Sequence, residues 1–133
     1  MGADALQGDD GRWRWVGAEK NPKGFRLDAG IVSFESKAEA LDDLAAHQVA
    51  SLDATGRLVL PKEHIQRLIR AAAQPCEACE ATYFGRVYWH ERDEMGCNWS
   101  VSTIQGSNWS ACFDALQPTA IQLRQAYSIP DEG

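Results

Sequence analysis

The residues that could do chemistry fall late in the chain. Cys76-Glu77-Ala78-Cys79 is a C-x-x-C pair, followed by Cys97 and Cys112. Such a set could hold zinc through thiolates or exchange disulfides. Zinc asks for two close pairs, and Cys97 and Cys112 stand apart. Both sit at apolar positions of an expected strand and helix, where free cysteine acts as a small hydrophobe. Spacing leaves open one zinc set, made of Cys76, Cys79, His90 and Cys97. A redox C-x-x-C should open a helix directly after a strand. This one follows a helix, and Glu77 and Glu80 beside it would raise the thiol pKa rather than lower it. The expectation is four reduced thiols with no metal and no cofactor.

The second group is Trp89-His90-Glu91-Arg92-Asp93-Glu94. A histidine among carboxylates at a strand end can act as an acid/base centre. The same letters also make a solvated hairpin loop with its charges in water. Five tryptophans are many for 133 residues. They can fill a core, line a pocket or form a subunit interface. No glycine-rich phosphate loop, H-E-x-x-H or G-x-S-x-G is present.

Two strands and a helix must position these groups. Tyr83 to His90 reads as a strand, Glu91 to Gly96 as a turn and Cys97 to Ile104 as a second strand. Cys97, Trp99, Val101 and Thr103 alternate with Asn98, Ser100 and Ser102, which gives one buried and one wet face. In the first strand Tyr83, Val87 and Trp89 share one face, while Phe84 and Tyr88 share the other. From Trp109 to Tyr127 an apolar stripe keeps helical phase across Pro118, which predicts one kinked helix rather than two.

Earlier elements are plainer. Trp13 to Val16 alternates as a half-buried strand. Lys20 to Gly24 is a turn, and Phe25-Arg26-Leu27 and Ile31 to Phe34 are short strand candidates around Gly30. Ser36-Lys37-Ala38-Glu39 is a capping box. Leu41, Leu44, Ala45, Val49 and Leu52 follow at helical spacing, predicting a helix from about Lys37 to about Ser51 with that stripe inward. Pro61 opens another helix with Ile65, Leu68, Ile69 and Ala72 buried. Met1 to Gly11 reads as a disordered tail.

The run Asp53-Ala54-Thr55-Gly56-Arg57-Leu58-Val59-Leu60-Pro61-Lys62-Glu63 resembles the signature of AbrB/MazE-type DNA-binding proteins. That resemblance implies that Arg57 and Lys62 face DNA. The segment before it reads as helix, where that family would need a strand. From Trp89-His90 through Gly96-Cys97-Asn98-Trp99-Ser100 to Leu123-Arg124-Gln125-Ala126-Tyr127, the chain looks like small proteins encoded by integron gene cassettes. That likeness implies a small, mobile, bacterial, adaptive gene product and assigns no catalytic residue.

A net charge of −6 argues against phosphate-backbone binding. No window has the length of a membrane span, and the start lacks a signal-peptide pattern, so a cytoplasmic protein is expected. Residues 12–133 should form a single α+β domain, an antiparallel sheet of four to five strands with three helices mainly on one face. The expected function is a non-enzymatic module, homodimeric, that binds a small molecule or a protein. Its candidate binding residues are Tyr88, Trp89, His90, Asn98 and Ser100, on the aromatic surface around Trp89 or in a cavity beneath the kinked helix. The alternatives are an AbrB-like regulator and a small enzyme using His90 with nearby carboxylates.

Overall fold

The computed structural model describes residues 4–17 and 29–132. The turn expected at residues 20–24 and the strand expected at 25–27 lie outside the described residues. The chain is α+β, with three helices. Its strands are β1 (Asp4–Gln7), β2 (Trp13–Val16), β3 (Ser51–Leu52), β4 (Leu58–Val59), β5 (Tyr83–Phe84), β6 (Val87–Trp89), β7 (Trp99–Val101), β8 (Ile104–Gln105) and β9 (Tyr127–Ser128). Its helices are α1 (Lys37–Val49), α2 (Lys62–Ala73) and α3 (Trp109–Ala126).

The expected four- to five-stranded sheet does not form. Among the described residues the strands fall into four small sheets, β1-β2, β3-β4-β9, β5-β8 and β6-β7. No single broad face therefore exists for the helices to cover. Asp4–Gln7, expected as part of a tail, pairs antiparallel with β2 and buries Ala5. The segment after residue 28 touches β2 through two isolated bridges, Val16 with Ala29 and Trp13 with Phe34. Gly30 lies against the Trp15 indole, where a Cβ would come within 2.8 Å of Nε1. A side chain there would push the ring out of its seat.

The segment from Tyr83 to Gln105 keeps the expected hairpin. Tyr83 faces Gln105, and Trp89 faces Trp99, in one unbroken register. The ladder is split into two sheets at Gly85-Arg86. There Gly85 N–H donates to the Thr103 carbonyl at 2.7 Å, while Arg86 N–H turns to the Ser102 hydroxyl at 3.0 Å. A Cβ on Gly85 would overlap Ser102 Oγ and lie 2.9 Å from the Thr103 nitrogen. The two strands touch too closely at that point for any residue but glycine.

Helix α3 runs unbroken through Pro118, as its stripe predicted. Its last turn hands the chain to β9, which pairs parallel with β4. Helix α1 starts on Ser36, whose hydroxyl accepts from Glu39 N–H at 3.2 Å. Of the stripe expected to face inward, only Leu44 is buried. Leu41, Val49 and Leu52 are exposed, and Ala40, Asp43, Leu44 and His47 point inward.

The cysteines also depart from expectation. Cys79, in a short 3₁₀ turn, is disulfide-bonded to Cys112 on α3, and only Cys76 and Cys97 are free. The bond places that turn against the first half of α3 across a separation of 33 residues. Closing a loop of that length contributes about 3–4 kcal/mol by restricting the unfolded chain. Reduction with a phosphine should therefore lower the thermal midpoint, and Cys112→Ser should reproduce the drop without reductant. An unchanged midpoint in both would show that the bond does not form in solution.

Candidate functional site

Two polar constellations stand out, one sealed in the core and one at the edge of a cavity. The sealed one centres on Asp43, which is 1% exposed. Trp15 Nε1–H donates to its Oδ2 at 2.7 Å. His64 Nε2 lies 2.7 Å from its Oδ1. An ionised carboxylate only accepts, so the His64 hydrogen sits on Nε2. One turn on, His47 Nδ1 lies 2.6 Å from the Asp43 carbonyl oxygen and 3.4 Å from Oδ1. The carbonyl also only accepts, so His47 is the Nδ1–H tautomer. Its Nε2 then accepts from the Tyr127 hydroxyl, 2.6 Å away. The chain of donors ends where α3 meets β9, and it ties α1, α2, β2 and β9 together.

Burial pushes the His47 pKa below its ordinary 6.5, although Asp43 pulls it up, and it pushes the Tyr127 phenol well above 10.0. Both groups are held neutral. The signs follow from linkage. Below pH 6.5 the unfolded chain takes up a proton on His47 that the folded chain refuses, so stability falls as pH drops through that window. The slope approaches but does not exceed about 1.4 kcal/mol per pH unit. Urea midpoints measured at pH 7.5 and 5.5 should differ in that direction, and the difference should shrink in His47→Gln. Equal midpoints in the native chain would mean that His47 is not held neutral.

The second constellation lies beneath α3. A cavity of about 390 Å³ opens between α2, α3 and the hairpin. Phe84, Val101, Ile104, Leu116 and Ala120 give it apolar walls. This explains why the apolar stripe of α3 is only partly buried: Phe113 is 44% exposed and Leu116 is intermediate. Arg124 is the one charged residue among the described lining residues. Its guanidinium lies over the Trp99 ring, 5.5 Å from the centroid, and pairs with Asp93 at 3.2 Å. The Ser100 hydroxyl stands beside it, 3.5 Å from both Nη1 and Nη2.

The residues singled out from sequence divide between three places. Ser100 lines the cavity. Trp89, His90 and Asn98 border a shallow cleft of about 230 Å³ with Arg92 and Asp131. Tyr88 is 46% exposed, its ring edge-on to His90. Asn98 is a clamp rather than an open surface group. It is 2% exposed, its Nδ2 donates to the Ile129 carbonyl and its Oδ1 accepts from Ile129 N–H. The alternation that put Asn98 on the wet face missed the C-terminal strand laid over it.

Among the described residues no carboxylate bonds to the His90 ring. Its Nδ1 is 2.5 Å from the Glu91 carbonyl oxygen and its Nε2 is 2.9 Å from Ser100 Oγ. Asp93, the carboxylate expected near it, instead accepts from Met95 and Cys97 amides and from Arg124. Arg57, which the AbrB-type resemblance would turn toward DNA, is 9% exposed and donates to the Arg124 and Met95 carbonyls. Lys62 reaches Glu132 at 3.3 Å. The run that carries the resemblance is preceded directly by β3, which pairs antiparallel with β4, and α1 ends at Val49 before it.

Among the described residues no group of three His, Cys, Asp or Glu side chains could hold a metal, and no helix is long and apolar enough to cross a membrane. The zinc set left open by spacing cannot assemble, because Cys79 is bonded to Cys112. The Asp43 network went unread in sequence, although Asp43 and His47 sit four residues apart on one helix face. No protein-family model, curated protein or solved structure matches the chain.

Proposed function

We propose that this chain is a small-molecule-binding module whose site is the cavity beneath α3, and that it works as a homodimer. The observation that carries the reading is the cavity itself. Its volume lies within the ordinary range for small-ligand sites, its walls are mostly apolar, and Ser100 and Arg124 stand side by side at one end of it. Arg124 and Ser100 at that end favour a ligand with an apolar body and a small anionic or hydrogen-bond-accepting head. A carboxylate is the simplest such head, because a guanidinium binds it through two parallel donors. The partial exposure of Arg124, 31% at the side chain, leaves it accessible.

Short aliphatic and monocyclic aromatic acids should raise the melting temperature of the protein. Ala120→Trp, which fills the cavity, should abolish the rise. Arg124→Gln should weaken the acids by roughly tenfold or more while leaving neutral analogues nearly as effective, since a charge-assisted pair is worth about 1.5–3 kcal/mol. If the filled variant responds as the native chain does, the cavity is not the site.

The homodimer rests on apolar side chains left in water on α3. Trp109 is 52% exposed, Phe113 44% and Ile121 45%. Aromatic residues of this kind dominate subunit interfaces. Sedimentation at micromolar concentration should give a dimer that Phe113→Glu converts to monomer. A monomeric native chain at that concentration removes the dimer from the reading.

A further inference from the structure

The hydrogen bonds around Ser100 have a direction that a passive binding pocket does not need. The Glu91 carbonyl can only accept, so His90 carries its hydrogen on Nδ1 and aims that hydrogen at Glu91. Nε2 is then the lone-pair nitrogen, and it faces the Ser100 hydroxyl at 2.9 Å. Ser100 Oγ–H donates to it. On its other side Ser100 Oγ accepts from Arg124, whose two terminal nitrogens both lie 3.5 Å away. A serine, a base oriented by a third group and a cation beside the oxygen form the arrangement that activates a hydroxyl nucleophile. A backbone carbonyl holds the imidazole tautomer in place of a carboxylate. Ser100 also lines the apolar cavity, so a reacting carbonyl could be held against it.

The geometry points to Ser100 as a nucleophile and His90 as its general base, acting on esters of short aliphatic or monocyclic aromatic acids. The inference rests on the ligand-binding reading of the cavity and adds a reaction to it. The acyl part occupies the apolar cavity. Ser100 Oγ bonds to the acyl carbon as its proton passes to His90 Nε2. The oxyanion that forms is stabilised by the Arg124 guanidinium. The ester C–O bond then breaks, and the leaving oxygen takes the proton from His90 Nε2–H. Water adds to the acyl-serine in the same way. It gives its proton to His90, and Ser100 Oγ recovers that proton as the acid departs. The sum is ester plus water giving acid plus alcohol, with no oxidant or cofactor.

Sequence alone hid this pair because His90 follows the end of β6 while Ser100 lies on β7, and only the register that sets Tyr88 opposite Ser100 brings the two diagonally together. No elbow motif surrounds the serine. His90 also sits among carboxylates in sequence that it does not touch in space.

The test joins two measurements on the same full-length protein. An alkyl fluorophosphonate should label the native chain, with the adduct mapped to Ser100 by peptide mass spectrometry. A p-nitrophenyl ester of a short acid should be hydrolysed. Ser100→Ala should lose labelling entirely and hydrolysis by on the order of 10³-fold. His90→Gln, which keeps the serine, should slow labelling by on the order of 10²-fold. In parallel, melting curves without ligand should match the native midpoint closely in both variants, which shows that they are folded, and the hexanoate shift is read on the native chain. Absence of labelling in a native chain that binds hexanoate overturns the nucleophile and leaves the binding module standing. Labelling that survives in Ser100→Ala also overturns it. A native chain that neither binds nor labels removes both readings together.

Discussion

The Asp43 carboxylate is the interaction on which the rest of this structure depends. A buried charge is costly unless every lone pair finds a donor. Here Trp15 takes one oxygen and His64 the other, while His47 bonds the carbonyl of the same residue. Each partner comes from a different part of the chain. Satisfying one carboxylate therefore sets how α1 sits against β2 and α2, and through His47 and Tyr127 how α3 ends. Removing a single partner leaves the others buried without a mate, so the arrangement is all or nothing. Gly30 belongs to the same constraint, since only a residue without a side chain lets the Trp15 indole lie where Asp43 can be reached.

With that frame set, α3 is held at its far end by Tyr127 and at its near end by the Cys79–Cys112 bond. Between these anchors the helix spans the hairpin without closing onto it. The space left is the cavity. The hairpin is also held from the other side, where Asn98 grips Ile129 and Arg57 grips the Met95 carbonyl in its loop. Ser100, His90 and Arg124 thus stand on elements fixed at several points. Fixed elements are what an ordered polar cluster beside an apolar space requires.

Local signals in the sequence were reliable where the physics is local. The Ser36–Glu39 box marks the start of α1 because a cap is a contact three residues long. The stripe from Trp109 to Tyr127 stays helical through Pro118 because its phase does not change there. The two strands of the hairpin and the turn between them were legible from alternation and turn residues. The inward face of α1 was not. A rule that places apolar residues inside chose Leu41 and Val49, whereas the fold chose Asp43 and His47. The rule fails because those polar groups are paid for by donors far away in sequence. The cysteines failed for a related reason. Cys112 looked like a core hydrophobe from its helical position, and nothing in the spacing indicated that the turn at Cys79 would fold against it.

Sequence by itself therefore determined the three helices, the α+β class and the hairpin that carries Tyr88, Trp89, His90 and Ser100. Tertiary structure decided the rest. Among the described residues it set four small sheets of short strands where one sheet was expected, with the close contact at Gly85 dividing the hairpin between two of them. It covered Asn98, turned Arg57 inward and gave His90 a serine where the sequence offered carboxylates. The physical reason is common to all of these. Periodicity reports which face of an element is apolar, but the partner of a polar side chain is set by where other elements arrive, and that information is spread over the whole chain.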